Sequence, residues 1–448
     1  MHHLPTELLQ LIFTLAHEDL NAPPLNFYAT CRLWNDIVLT MPVLWSTISV
    51  IATRKTSTPP VSVVSHWLKL SGSHPLRLAL VVKENRSVSI KDGPGTRGII
   101  ELFVQNMARW REIELDYSDA GRPPRNMQLV ANGAPLLERI ELHPSSLLPS
   151  IGDTNGEIPW LDVAASSSRL RAFSTRQGLI SRSLFQALNW AGLRCLRLET
   201  RLSQVSCLRV FAAASALEEC HFLDVGNRLQ DSVNAIPIDG TLPDVVIGHN
   251  LHTLALASQL GFERIFEGLA APRLRVLELG TRSTHMRWDH SSFMRFLGRS
   301  NEQLVSLTFR DLIVSRMRDW EVKLVLAEVA STLTELAITS DVPGMAVGVS
   351  NHLLVALGKN NELLCPKLEV LKLHIGTFAG DGVLGRMVSA RWRVSPLRRV
   401  DVIFATHGHV EDMHVLRGLF HGGLDGTVRM IGDTQGRSPS SPSIGDVD

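Results

Sequence analysis

One spacing of apolar residues recurs along this chain: an apolar position, two residues of any kind, a second apolar position, one more residue, and a third. In residues 271–280, Ala-Pro-Arg-Leu-Arg-Val-Leu-Glu-Leu-Gly, these positions are Leu274, Leu277 and Leu279. The last two share one side of a short strand, and Leu274 leads into it. Further copies start at Trp110, Leu137, Leu170, Leu193, Leu217, Leu251, Leu304, Leu333, Leu368 and Leu397, with a looser copy at Leu76; successive starts lie 23 to 35 residues apart. Pro135, Pro272 and Pro366 stand just ahead of three copies, where the missing N–H and fixed φ would end a preceding helix.

Between copies the period changes. Phe262, Ile265, Phe266 and Leu269 fall at helical spacing, as do Val63, Val64, Trp67 and Leu68, so one apolar helix face is predicted between strands. A strand and a helix cannot bury both apolar faces alone. Stacked units can, which predicts an α/β chain with a parallel sheet under a row of helices.

Residues 1–50 follow a different pattern. Thr6 is placed to cap a helix with Leu8, Leu9, Ile12 and Phe13 as its apolar stripe. Pro23 and Pro24 end it, Phe27, Cys31, Trp34 and Ile37 share a face of a second helix, and Pro42 stops that one, leaving Leu44, Trp45 and Ile48 to cover the bundle. Residues 51–60, rich in Thr, Ser and Pro, are expected to be a linker to an array spanning 61–431. Surface loops are expected at 84–98, 117–126, 143–160, 224–248 and 281–290, and a disordered tail at 432–448.

Composition narrows the functional classes. With 44% hydrophobic and 20% charged residues the chain is a folding sequence, and a net charge of +1 advertises neither nucleic acid nor an anionic membrane as a partner. Five cysteines (Cys31, Cys195, Cys207, Cys220 and Cys365) are odd in number and lack C-x-x-C spacing, which suits reduced thiols in the cytoplasm or nucleus. No apolar run approaches the roughly 18 residues of a membrane helix. The segment Leu8 to Ala16 is interrupted by Gln10 and lacks the preceding basic cluster of a signal peptide.

The recurring phrase resembles a degenerate leucine-rich repeat over roughly residues 74–405. That family usually carries Asn or Cys three places after the last strand leucine. Here those places hold Ser118, Ser145, Gly178, Arg201, Gln259 and Arg282, so irregular turns of variable length are expected. The resemblance implies an irregular solenoid with a parallel sheet on its concave face.

Leu4-Pro5, Glu7, Ile12-Phe13, Cys31-Arg32, Trp34, Pro42 and Leu44-Trp45 resemble an F-box, of the kind that begins many fungal proteins with leucine-rich tails. The resemblance implies a small helical bundle that docks on a Skp1-type linker of a cullin–RING ubiquitin ligase. Leu4, Pro5, Leu8, Ile12 and Phe13 would make that contact, while Cys31, Trp34, Ile37, Leu44 and Trp45 would form the bundle core. The chain departs from the pattern in having three residues ahead of Leu4, and Thr30 where an aliphatic residue is usual. Apart from the resemblance, the same residues suit an apolar cap over the first repeat.

Strand positions between the buried ones would face a protein target. They read Glu112, Glu114, Asp116 and Glu141 early, Arg197, Glu199, Glu219 and Glu278 in the middle, and Arg310, Lys372 and Arg399 late, a predicted drift from acidic to basic. Gly93, Gly95 and Gly98 satisfy G-x-G-x-x-G, but their polar approach reads as loop glycines and not a dinucleotide site. His407-Gly-His409-Val-Glu411-Asp412-Met-His414 resembles a near miss to the zinc motif of metallo-β-lactamase-fold hydrolases.

The expected function is a substrate-recognition adaptor of a Skp1–cullin–F-box ubiquitin ligase, without catalytic residues, metal or cofactor of its own. The alternatives are a ubiquitin-independent repeat scaffold and, less favoured, a zinc-dependent hydrolase built on His407 and His409.

Overall fold

A computed structural model describes residues 4–18, 23–53, 56–83, 94–116, 133–143, 163–164, 166–176, 188–226, 242–281, 283, 286–300, 303–311, 317–340, 349–359, 363–376, 379–405 and 408–430. They belong to two compact units, one within Met1–Asp224 and Arg228–Leu242, the other within Val225–Asn227 and Pro243–Asp448. The division falls inside the array that the sequence pattern draws as continuous over 61–431.

In the first unit the strands Thr47–Ala52, Leu76–Val82, Trp110–Asp116, Arg139–His143, Ala172–Thr175, Cys195–Leu198 and Glu219–Val225 lie side by side in chain order, each parallel to the next. In the second, Thr253–Ser258, Val276–Thr281, Ser306–Arg310, Glu335–Thr339, Val370–Ile375, Arg399–Phe404 and Asp425–Met430 do the same. Leucines of the recurring phrase are the inward face. Leu277 pairs in register with Leu254 and Leu307, Leu279 with Leu256 and Phe309, and all are fully buried. Each such side chain gains roughly 1.5–3 kcal/mol on leaving water, most of it offset by chain ordering.

Two strands lie outside the leucine pattern. Trp45, Ile48 and Val50 repeat the spacing with a tryptophan in the lead and are buried; Trp45 ends the 3-10 helix Pro42–Trp45, and Ile48 and Val50 lie in the first strand, Thr47–Ala52. Residues 51–60 therefore do not form a linker: they hold the end of that strand and the two-residue strand Ser57–Thr58 antiparallel to it. The last strand, Asp425–Met430, has no leucine, and Gly426 sits where a Cβ would lie against the Val400 carbonyl.

Strand entry is a tight turn. Leu137, Leu274 and Leu368 donate their N–H groups to the carbonyls of Ala134, Ala271 and Cys365 at 3.1, 3.0 and 3.2 Å, placing Pro135, Pro272 and Pro366 at the second turn position, where a fixed φ is favourable. Helices precede several entries, including Val61–Leu70 and Glu263–Gly268. The latter is shorter than its stripe, with Phe262 as its N-cap and Leu269 already in a strand, yet all four stripe residues are buried.

The asparagine ladder has substitutes. Ser258 Oγ donates to the carbonyls of Val225 and Gly261 at 2.9 Å and accepts from the Leu260 and Gly261 N–H groups. Its register partner Thr281 donates to the Ser258 carbonyl at 2.9 Å. Arginines do similar work on the helix side. Arg391, fully buried, donates to the carbonyls of Leu357 and Leu364 at 2.7 and 2.8 Å and to that of Cys365. Arg109 donates to the Ser71 hydroxyl and the His74 carbonyl, and Arg299 to the carbonyls of Glu267 and Leu269. Each arginine satisfies carbonyls left at the end of the preceding helix or in the turn beyond it.

At the N-terminus, the helix Thr6–Glu18 starts with Thr6 inside it, and the Pro5 carbonyl accepts from the Leu9 N–H at 3.2 Å. The predicted second helix is two, Leu25–Tyr28 and Arg32–Leu39, with Cys31 extended between them. The break lets Phe27 and Trp34 converge on Phe13, at ring-centroid distances of 4.9 and 4.8 Å. Trp45 ties this head to the sheet: its Nε1 donates to the Val38 carbonyl at 2.9 Å, and its ring lies near Tyr28 and Trp67. The expected loop 84–98 is cut by the helix Pro94–Gln105, and 224–248 contains the strand Val246–Ile247. The expected loops 117–126 and 144–160 and the tail 432–448 lie outside the described residues.

Candidate functional site

The helix Thr6–Glu18 has two apolar faces. Leu9, Phe13 and His17, four residues apart, point into the head and are buried. Leu8, Leu11, Ile12 and Leu15 form a second stripe at i, i+3, i+4 and i+7 and are exposed, Leu11 at 55% and Leu15 at 57%. Leu4 and Pro5 continue it, and Leu25, Tyr28 and Leu33 of the following segments are exposed as well. Four large apolar side chains about half in water forgo roughly 1 kcal/mol each. Such a face is more than scattered surface leucine.

Of the predicted linker contacts, Leu4, Pro5, Leu8 and Ile12 are exposed, whereas Phe13 is buried inside the aromatic cluster and cannot meet a partner. Leu11 and Leu15, outside that set, share the exposed stripe, which is legible in the sequence once Leu9 and Phe13 are assigned inward. Of the predicted bundle core, Ile37, Leu44 and Trp45 are buried, while Cys31 and Trp34 are half-buried.

The polar side of the strands differs from the predicted drift of charge because every row carries counter-ions. Glu112 meets Arg77 at 3.1 Å, Arg310 meets Glu278 at 2.5 Å, Lys372 meets Glu335 at 2.6 Å, and Arg399 meets Asp401 and Asp425 at 2.8 and 3.3 Å. Same-strand pairs two residues apart recur: Arg197 with Glu199 at 3.0 Å, His221 with Glu219 at 2.7 Å, and Glu141 between Arg139 and His143 at 3.3 and 3.0 Å. Side chains at i and i+2 share a strand face, so this signal was present in the sequence. The pairs are mostly exposed and worth roughly 0.2–1 kcal/mol each.

Glu114 is the exception. It makes no hydrogen bond to a described residue, and its nearest basic neighbour is His143, with Nε2 4.0 Å away. Burial and the neighbouring Glu141 carboxylate push its carboxyl above the usual range, against the pull of His143.

The histidine-rich stretch resolves into a structural device. His407 lies outside the described residues. Asp381, His409 and Asp412 do cluster, with candidate ligand atoms within 4.8 Å of one another. Both carboxylates are engaged by hydrogen bonds. Asp381 accepts from the N–H groups of Gly382, Glu411 and Asp412 at 2.9, 3.0 and 2.9 Å, and Asp412 from the Gly385 N–H at 2.7 Å and from His409 Nδ1 at 3.1 Å. The two carboxylates cap the starts of neighbouring helices, Val410–His421 and Val383–Val394, whose positive ends disfavour a cation there. The His409 ring stacks on Phe404 at 4.6 Å.

Gly95 and Gly98, read as loop glycines, lie in the helix Pro94–Gln105 and allow close packing: a Cβ at Gly95 would come 2.8 Å from the Thr56 carbonyl carbon, and one at Gly98 would meet Val61 at 3.2 Å. All five cysteines are free, and burial pushes the Cys195 and Cys365 thiols up to about 11, far from a nucleophile's range. Among the described residues no helix is long and apolar enough to cross a membrane.

No family model matches this chain, and no curated protein matches it. Among solved structures, it is similar to the leucine-rich repeat-containing protein LegL7 from Legionella pneumophila, at 11% identity, 87% coverage of this chain, 100% of that chain and a TM-score of 0.37.

Proposed function

We propose that the chain is a protein-recognition adaptor whose head grips a Skp1-type linker of a cullin–RING ubiquitin ligase and whose strand face holds a protein target. The observation that carries this is the exposed stripe Leu8, Leu11, Ile12 and Leu15, on a helix whose other face already has its own core. A helix with two apolar faces is bound on both. The F-box resemblance of residues 4–45 supplies the identity of the partner. On this proposal the chain acts by proximity, and bond-making groups belong to other subunits.

The test is capture of a purified Skp1-type linker by the full chain and by the Leu8→Asp/Ile12→Asp variant. Leu8 and Ile12 are solvent-facing, so the variant folds with an unchanged unfolding midpoint and loses binding by about a hundredfold or more, as expected when two apolar anchors are replaced by charges. Equal capture by both, or by neither, overturns the proposal.

A second reading has its own support. Trp45 is shared between the head and the first strand, as in an N-terminal cap of a repeat array. On that reading the chain is a ubiquitin-independent scaffold that binds proteins through its strand faces, and linker capture is absent from the start.

A further inference from the structure

The last strand of the second unit, Asp425–Met430, pairs with Arg399–Phe404 on one side and, among the described residues, with no strand on the other. The Asp425 N–H donates to the Arg398 carbonyl at 3.0 Å. Main-chain groups alternate between the two sides of a strand in a parallel ladder, so those of Gly426, Val428 and Met430 are turned to the open edge. Side chains divide in the same way. Asp425, Thr427 and Arg429 are exposed on the polar side. Val428 and Met430 share the helix side with their register partners Val402 and Phe404, yet they are only half-buried where those two are buried completely. Arg429 has no ion-pair partner among the described residues, and Asp425, though 3.3 Å from Arg399, keeps 70% of its side chain in water. Such an edge is a template for a further strand, and this one has neither the proline nor the lysine that commonly blunts it.

We propose that this edge is covered by the same edge of a second copy of the chain, antiparallel to it, with Thr427 facing Thr427 across a twofold axis. In that arrangement the residue order is its own complement. Pairing about Thr427 sets Asp425 of each copy opposite Arg429 of the other, in the closer, non-hydrogen-bonded kind of pair. It also sets Gly426 opposite Val428. Both turn their main-chain groups outward, so each such pair exchanges two hydrogen bonds. Sliding by one residue would oppose outward groups to inward ones, and sliding by two leaves Asp425 and Arg429 no longer opposite each other. On the helix side the half-buried Phe420 ring lies beside Gly426, where Val428 of the second copy arrives, so both apolar groups leave water. The contact uses one patch on both copies and closes at two. A six-residue edge is small, so the dimer dissociates in the micromolar range.

The test is sedimentation velocity on the full chain from roughly 1 to 100 μM, where monomer gives way to dimer as concentration rises. Arg429→Asp and Asp425→Arg each put like charges opposite one another in both pairs and weaken self-association about tenfold. Asp425→Arg also loses the Arg399 contact, alone and in a mixture alike. Mixing the two variants sets two basic positions of one copy against two acidic positions of the other. With a fluorescein label on one of them, the mixed pair associates about tenfold more tightly than either variant does with itself, a rescue that a misfolded variant would not give. The Leu8→Asp/Ile12→Asp chain dimerises as the parent does, so this contact and linker capture are read separately. A chain that stays monomeric throughout the range, single variants that associate as the parent does, a mixture without rescue, or a dimer abolished by Leu8→Asp/Ile12→Asp overturns the assignment.

Discussion

Glu141 and Glu114 are register partners with opposite electrostatic fates. The hydrogen bond from His143, aided by Arg139, outweighs burial and holds the Glu141 carboxyl at about 2, while burial and Glu141 itself push Glu114 upward. A folded value below the unfolded one means that Glu141 contributes its full stability above about pH 4.5 and loses it as pH falls toward 2. Glu141→Gln therefore lowers the urea midpoint at pH 7, and the deficit narrows steadily below pH 4.5. A deficit independent of pH would assign the loss to packing. The alternating Arg139-x-Glu141-x-His143 spelled out this pairing in the sequence. The placement of Glu114 directly opposite Glu141 was not visible there, because it depends on which residue the neighbouring strand sets in register.

Helices and turns here are secured by side chains reaching back to the preceding repeat. Arg391 shows the limit of sequence reading: in a helix, an arginine next to tryptophan reads as surface, yet this one is fully buried on three carbonyls. Arg391→Met keeps the apolar stem and strands those acceptors, which costs about 3–5 kcal/mol. Denaturant titration checks this, and a loss below about 1 kcal/mol would mean that water replaces the guanidinium. The family's asparagine position misled in a similar way. Ser258 and Thr281 take that role one place earlier than Gln259 and Arg282, and only the hydrogen-bond directions reveal it.

For the molecule as a whole, the N-terminal head is not a detachable module. Trp45 closes the aromatic head, donates to Val38 and leads the first strand, so one residue serves both bodies that the sequence pattern separates. Trp45→Ala removes a large buried ring and lowers unfolding free energy by about 3–5 kcal/mol. Deleting residues 1–53 removes the strand that covers the edge of Leu76–Val82 and yields an aggregating chain, measurable by light scattering. Tests of linker binding therefore call for point variants on the exposed stripe and not for truncation.

The sequence by itself determined the strand repeat, the helical stripes, the turn prolines and the apolar head, because each depends on local periodicity and on backbone restrictions that travel with the residue. Only the tertiary structure decided which of two apolar faces on the helix Thr6–Glu18 is left in water, that Ile48 and Val50 behind Trp45 belong to a strand of the array, that the histidine-rich stretch holds a pair of helix caps, and that Glu114 is set opposite Glu141. Burial and charge balance are properties of neighbours brought together from distant parts of the chain, and no local spacing encodes them.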